Sequence, residues 1–424
     1  MKEKITLGKL AKDPGCLAEY DPDAMEYQDA IKWIRQFIEP VKETQIIPIR
    51  ESLGKVLSED IYSPIDVPNY NNSAMDGFVF YKAQENSPVT LKVIGSQLAG
   101  QSSNEKVLPG QAIQIMTGAR IPNGGNTVIP IELVSYEGDK ISINESPKIG
   151  ANIRKIGEDV KKNELILKKG RCIRSSEIGL LASLGLPKVS VYRQIRVAFF
   201  STGDEVVEVG NLLKVGQVYD SNNHTIGAML ERIGAEIVNL RIVSDDKNAL
   251  KETLLSIVDE VDVIITSGGV SVGAADFMKE VLNEIGEVLF WKLSIKPGRP
   301  LAYGKINQTH YFGLPGNPVA SMVSFYQIVQ PQLKVLMGEV DYELPPLFKV
   351  KTEKAIIKKP GRMEFQRGIL FQNNNEWFVK PTGHQGSAIL SSMSQANCFI
   401  VMGIHEGSIE SGDTVKVQLM EGFI

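Results

Sequence analysis

The sequence predicts a multidomain α/β plus β protein, in which a domain with a largely parallel sheet is flanked by strand-rich modules. Three observations carry this. The chain has 424 residues, more than one hydrophobic core usually organises, so about two to four domains are expected. From Ile195 to Met337 strand and helix signals alternate, which requires crossover connections and hence parallel strands. On either side of that stretch the apolar residues fall into short runs broken by Gly, Pro and Asn, the texture of strands and turns.

In chain order, residues 1–22 contain Asp13-Pro14-Gly15 and Asp21-Pro22, which favour turns, so they read as an extension without its own core. Tyr27, Ile31, Ile34 and Ile38 recur at helical spacing until Pro40 stops the pattern. Strands are expected at 89–94, 112–116 and 127–134, and Glu137-Gly138-Asp139-Lys140 reads as a hairpin tip. Ser175-Ser176-Glu177 caps an apolar stretch, 178–184, which Gly185 and Pro187 end. A β-rich module is therefore inserted between two helical pieces.

The alternating part is expected to run through strand 197–201, a helix with Ile226, Met229, Leu230 and Ile233 on one face, and strand 236–243. Helix 247–258, strand 261–266, helix 277–285, strand 288–295 and a long helix 319–337 complete it. After Pro345-Pro346 strands return at 348–352, 377–380, 398–402 and 414–419, as a separate small β domain. The boundaries that follow are 1–22 for the extension, 23–66 with 164–193 for the helical pieces, 67–163 for the insert, 194–340 for the α/β domain and 345–424 for the last domain.

Hydrophobic residues make up 43% and charged residues 23% of the chain, a balance that excludes the disordered and membrane classes. No apolar run is long enough to span a bilayer. Residues 1–12 lack the apolar core of a signal peptide, so a cytoplasmic location is expected. The net charge of −4 argues against a nucleic-acid partner, which needs clustered Lys and Arg, and leaves room for a local basic pocket. Cys16, Cys172 and Cys398 are odd in number and far apart, so neither a disulfide framework nor a CxxC metal site is expected. His224, His310, His384 and His405 lack HExxH spacing and read as surface or packing residues.

In open parallel sheets ligands bind beyond the carboxyl ends of the strands, where free backbone N–H groups point outward. Ser201-Thr202-Gly203-Asp204-Glu205 follows the first strand and Asp245-Asp246 the second. The third leads into Thr266-Ser267-Gly268-Gly269-Val270-Ser271-Val272-Gly273, and Asp276 opens the next helix. Such a loop lets the backbone approach a phosphate closely, although it is neither a Walker loop nor a GxGxxG fingerprint. Asp245, Asp246 and Asp276 all precede helices, where an aspartate also serves as an N-cap worth about 1 kcal/mol. Thr202 and Glu205 would likewise complete a tight turn. Several carboxylates at one sheet edge repel unless a cation or a basic substrate group neutralises them, and magnesium is the expected cation.

The run Trp291-Lys292-Leu293-Ser294-Ile295-Lys296-Pro297-Gly298-Arg299-Pro300 supplies the opposite charge. Lys292, Ser294 and Lys296 are two residues apart and expected on one strand face. Both flanks, 288–290 and 301–303, read as buried strand, so these lysines are expected to face a bound anion. Leu314-Pro315-Gly316-Asn317-Pro318 then leads into the closing helix, a further N-terminus for an oxyanion, with Ser321 in its first turn.

The combination resembles the molybdopterin molybdenumtransferase family, which comprises the MoeA proteins of bacteria and the E domain of gephyrin and its plant homologues. Asn72-Ser73-Ala74-Met75-Asp76-Gly77, Ile115-Met116-Thr117-Gly118-Ala119, 201–205, 268–276, 292–300 and 314–318 match in order and spacing. The likeness runs from about Asp23 to the end, leaving the extension without a counterpart. It implies a MogA-like doubly wound α/β domain, a helical linking domain, an inserted β-rich domain and a C-terminal small β-barrel domain, in an elongated homodimer. It also implies transfer of molybdate to adenylylated molybdopterin, with magnesium-dependent release of AMP.

Residue by residue, the resemblance gives catalytic roles to Asp76, Thr117, Glu205, Asp245, Asp276, Lys292 and Lys296. Glu205, Asp245 and Asp276 would serve the metal and the phosphoanhydride, Lys292 and Lys296 the phosphate and molybdate oxygens. Asp76 and Thr117 would reach the cleft of the partner subunit. Ser267, Gly268, Gly269, Ser271 and Gly273 would cradle the pterin phosphate, with Ser294, Arg299, Pro315, Gly316 and Asn317 as further substrate contacts. Ser321, Arg367 and Ser387 would add oxyanion contacts. Departures from the family pattern are Arg299, where lysine is frequent, and Ala275 before Asp276. Transient contacts with the adenylyltransferase and with cofactor-accepting apoenzymes are implied too. The rival readings are that adenylyltransferase itself, which shares the α/β domain, and a non-catalytic gephyrin-like scaffold.

Overall fold

A computed structural model of the chain describes residues 24–83, 89–100, 105–145, 147–269 and 277–420. Its centre is a six-stranded sheet in the order Glu236–Val243, Arg196–Thr202, Val263–Ser267, Thr309–Leu314, Pro300–Ile306 and Glu287–Lys292. The first four run parallel, and Pro300–Ile306 is antiparallel to both its neighbours. Alternation along Arg196–Thr202 separates two layers. Val197 and Phe199 pack with helix Ser221–Ile233 and the closing helix, whereas Ala198 and Phe200 pack with helices Lys247–Ile257 and Phe277–Ile285. The connection from Arg196–Thr202 leads to Glu236–Val243 on one side, that from the neighbouring Val263–Ser267 leads to Glu287–Lys292 on the other, and such a switch point opens a crevice at the carboxyl ends.

The closing helix, expected unbroken over 319–337, is Pro318–Ser324, a π-turn Phe325–Val329 and Gln330–Leu336. Pro331 has no N–H to give the Gln327 carbonyl four residues back. That carbonyl instead accepts the hydroxyl of Tyr27 at 3.0 Å, which docks the N-terminal helix Tyr27–Arg35.

One expected element is divided. Strand 288–295 ends at Lys292, after which Leu293 N–H closes onto Arg299 O and Ser294 N–H onto Met25 O. Ile295–Lys296 then leaves this sheet and pairs with the C-terminal domain, Ile295 opposite Met363 and Lys296 opposite Glu364. Lys292, Ser294 and Lys296 therefore do not share a strand face.

The inserted sheet has six strands, in the order Thr127–Pro130, Gly77–Phe80, Gln111–Ile115, Val89–Gln97, Lys140–Ile143 and Val134–Glu137. The strand expected over 127–134 is interrupted by a 3-10 turn, Ile131–Leu133. The expected hairpin tip is present, with Glu137 opposite Lys140 and Gly138 at φ 61°. A Cβ on Gly77 would lie 1.9 Å from the Ile129 carbonyl oxygen, so the strand pair admits only glycine there.

Around the helical pieces, Thr44–Pro48 pairs with Lys188–Tyr192 and Ile61–Tyr62 with Leu165–Leu167, a strand content the sequence reading did not include. Helix Ser175–Ser183 packs on them through Leu181, beside Leu57, Ile173 and Val191. Glu177 is buried at its start and accepts hydrogen bonds from Arg174 N–H at 3.0 Å and from Arg171 and Arg174 Nη2 at 2.7 and 3.0 Å. The hydrogen bonds from the Arg174 guanidinium, and with them those from the Arg171 guanidinium and the Ser176 hydroxyl, hold this carboxyl far below the usual range. A lowered folded pKa stabilises above the unfolded value, and that stability is lost as pH falls. Glu177→Gln is thus expected to cost about 2 kcal/mol near pH 7, with the difference in Tm from the unmodified protein shrinking below about pH 4.

The C-terminal strands run Met363–Asn373, Glu376–Pro381, Phe348–Thr352, Thr414–Leu419 and Cys398–Met402, and the last pairs back onto the first. The result is a small closed β-barrel, as expected for this domain. Its longest strand, Met363–Asn373, was not among the expected ones, because its polar Gln366-Arg367-Gly368 centre interrupts the apolar pattern.

Candidate active site

A cleft of about 990 Å³ opens at the carboxyl ends of Arg196–Thr202, Val263–Ser267 and Thr309–Leu314. Part of its lining is backbone, contributed by Ser267, Gly268, Gly269, Pro315, Gly316 and Asn317. Gly268 has φ 95°, and a Cβ there would sit 2.7 Å from the Thr202 carbonyl oxygen, so this close approach of two strand ends requires glycine. Asn222 ties the two backbone segments together, donating to Ser267 Oγ at 2.6 Å and Gly316 O at 2.7 Å. Asp220, the N-cap of helix Ser221–Ile233, accepts Ser201 Oγ at 2.9 Å and Asn223 N–H at 3.0 Å. Asp220 and Asn222 both line the cleft and were missed from sequence. The available signal was an acidic cap following a strand-like Val218-Tyr219.

The carboxylates resolve into two kinds. Asp246 caps its helix, accepting from Asn248 N–H at 3.0 Å and Ala249 N–H at 2.9 Å. Asp245 and Glu205 line the cleft instead. Burial, together with the charges of Asp204 and Glu205, pushes the Asp245 carboxyl above its usual range. Asp204 Oδ1 reaches Asp245 N–H at 3.4 Å. Among the described residues, no three His, Cys, Asp or Glu side chains converge closely enough to hold a metal unaided. A crowded set of hard oxygen donors with one reluctant carboxylate nevertheless fits a magnesium ion that keeps waters and shares phosphate oxygens.

The basic side of the lining comes from Lys296, Arg299 and Arg362, the last from the C-terminal domain and missed from sequence. Lys292 and Ser294 do not line the cleft. Ser294 is buried, and its Oγ donates to Ala24 O at 3.0 Å, so the substrate contact expected of it is replaced by a tie to the N-terminal segment. Ser321 is fully buried and also absent from the lining, whereas Ser387 is part of it. Arg367 is 1% exposed and does not reach the cleft surface. Its Nε donates to Ser392 Oγ at 3.0 Å and its Nη2 to Gly386 O at 3.0 Å, while its backbone N–H meets Gln385 Oε1 at 2.8 Å. Burial lowers its guanidinium to about 10. Arg367 therefore holds the loop that presents Gln385, Gly386 and Ser387.

Asp76 and Thr117 are brought together, but not to this cleft. Asp76 Oδ1 accepts Thr117 N–H at 2.6 Å and its hydroxyl at 2.7 Å, which draws the carboxyl below its usual range. The pair is exposed where the neighbouring strands Gly77–Phe80 and Gln111–Ile115 begin and end. Ser271, Gly273 and Asp276 lie outside the described residues. His310 is a packing histidine, buried against Tyr303, with burial lowering its pKa to about 3. No helix among the described residues is long and apolar enough to cross a membrane.

Comparison with known proteins follows the same divisions. Three family models match in succession: the MoeA N-terminal region (domain I and II) over residues 25–185, a probable molybdopterin binding domain over residues 198–335, and the MoeA C-terminal region (domain IV) over residues 349–420. The chain is 41% identical over 378 residues to the molybdopterin molybdenumtransferase of Haemophilus influenzae, covering 89% of this chain and 94% of that one. It is 34% identical to the enzyme of that name from Nostoc, over 89% of this chain and 88% of the other. Gephyrin of Dictyostelium discoideum is 33% identical over 92% of this chain and 62% of its own length. Among solved structures, the molybdopterin biosynthesis moeA protein from Pyrococcus horikoshii OT3 superposes with a TM-score of 0.80 at 30% identity, covering 93% of this chain and 100% of that one. With three family models matched in succession and relatives this similar over most of its length, the chain belongs to the molybdopterin molybdenumtransferase family.

Proposed function

We propose that this protein is the molybdopterin molybdenumtransferase of a cytoplasmic cofactor pathway, transferring molybdate to adenylylated molybdopterin with release of AMP. The observation that carries the reading is the cleft itself. One glycine-lined bed is bordered by the carboxylates Glu205 and Asp245 and by the cations Lys296, Arg299 and Arg362. A phosphoanhydride is anionic and would be repelled by the carboxylates alone, whereas backbone N–H groups and three cations offset its charge.

In this reading Ser267, Gly268 and Gly269 hold the pterin phosphate, and Lys296 and Arg299 meet the oxyanion. The loop held by Arg367 covers them with Ser387. Glu205 and Asp245, with Asp276, would hold magnesium, which when bound supplies Lewis-acid stabilisation of charge on the leaving phosphate. The raised Asp245 carboxyl supports this, since a cation would offset both the burial and the repulsion from Asp204 and Glu205 that raise it.

The exposed Asp76–Thr117 pair lies outside this cleft in its own chain, and it would complete the cleft of the second subunit in an elongated homodimer. Domain limits at 23–66 with 164–193, 67–163, 194–340 and 345–424 belong to the same proposal, as do passing contacts with the adenylyltransferase and with acceptor apoenzymes. Against the adenylyltransferase reading stand the matched regions 25–185 and 349–420, which lie outside the α/β domain. The test is incubation with adenylylated molybdopterin, magnesium and molybdate. AMP release that depends on molybdate is expected; a protein that consumes ATP and molybdopterin to make the adenylate, or that does neither, would replace this reading with one of its rivals.

A further inference from the structure

Lys296 is anchored from the barrel. Its two-residue strand, Ile295–Lys296, runs parallel to the start of Met363–Asn373 and places Lys296 opposite Glu364. Glu364 Oε1 lies 3.2 Å from Lys296 Nζ, with the Glu364 side chain 4% exposed and that of Lys296 43% exposed. The second oxygen, Oε2, accepts Gln366 Nε2 at 2.8 Å, and the same amide nitrogen reaches Ile357 O at 3.1 Å. Another buried ammonium, Lys358, is taken up by the carbonyls of Glu406 at 2.7 Å and Lys359 at 3.2 Å. A buried carboxylate with both oxygens engaged has little rotational freedom. A lysine stem, by contrast, has four carbons that solvent would leave mobile.

We infer that Glu364 is the positioning residue that aims the Lys296 ammonium at the oxyanion, so that the C-terminal barrel sets how the cleft uses molybdate. The inference rests on Lys296 being the molybdate contact proposed above. Glu364 does not line the cleft, and it acts through Lys296. A carboxylate beside a lysine also subtracts positive charge from the site. If that were its main effect, removing it would tighten oxyanion binding; positioning predicts the opposite sign.

The experiment compares Glu364→Ala and Glu364→Gln, each alone and combined with Lys296→Ala. The readouts are the half-saturating molybdate for AMP release, molybdate binding by calorimetry, and thermal melting. Glu364→Ala is expected to raise half-saturating molybdate about tenfold with kcat changed less than about twofold. Glu364→Gln keeps one acceptor for the ammonium and should recover part of that loss, and it carries the comparison if the alanine variant does not fold. With Lys296 already replaced, both changes should add nothing. Unchanged or tighter molybdate use in the Glu364 variants, or a penalty of equal size with and without Lys296, would overturn the inference. If the unmodified protein released no AMP in response to molybdate, the proposed function would fail, while calorimetry would still decide the role of Glu364.

Discussion

Replacing Lys296 by alanine is expected to raise the molybdate needed for cofactor formation about a hundredfold, with little change in melting temperature. A positioned cation facing bound or developing negative charge contributes about 3 kcal/mol where water is restricted, and about 1.4 kcal/mol corresponds to each tenfold. The loss of folding stability should be much smaller. Lys296 is half-exposed, its two-residue strand is held by backbone pairing with Met363 and Glu364, and its neighbours Ile295 and Pro297 keep their packing. The cost that does fall on the fold is the buried Glu364 left without its ammonium. Titrating molybdate beside a thermal melt separates the two effects. A variant with the unmodified molybdate requirement would remove Lys296 from the oxyanion site.

The second large effect concerns assembly. Asp76→Ala and Asp276→Ala subunits, each inactive alone, are expected to regain activity when mixed and allowed to exchange. In a mixed dimer one of the two sites has both carboxylates, so free exchange of equal amounts should restore about a quarter of the unmodified activity. The motivating geometry is that Asp76 is fully engaged with Thr117 yet stands outside the cleft of its own chain. Verified exchange without recovery would return Asp76 to the role of a turn residue, whose carboxylate satisfies the Thr117 N–H and nothing more.

Much of the cleft was legible before any coordinates. The loop composition pointed to a backbone that a phosphate can approach, and the structure adds that Gly268 must be glycine because two strand ends meet there. The two adjacent aspartates show the limit of such reading. Asp245 and Asp246 both precede helix Lys247–Ile257, and spacing alone cannot say which caps it. The structure gives capping to Asp246, through the N–H groups of Asn248 and Ala249, and leaves Asp245 at the cleft. For Arg367 the family resemblance implied an oxyanion contact, and the structure adds how its guanidinium is held: it is buried, with the Gly386 carbonyl and the Ser392 hydroxyl accepting its hydrogens.

By itself the sequence determined the alternation of strand and helix from 196 to 292, the hairpin at Gly138-Asp139, the glycine-rich loop that begins at Gly268 and the acidic and basic residues near the sheet edge. These are local properties: side-chain periodicity, positive φ and the charge of nearby residues are all written within a few positions of one another. Only the tertiary structure decided that Ile295–Lys296 leaves the central sheet for the barrel, that Ser294 turns to Ala24, and that Glu364 lies under Lys296. An extended segment offers the same row of N–H and C=O groups to any strand, so its partner is selected by packing between residues far apart in the chain. No period or motif near Lys296 records that choice.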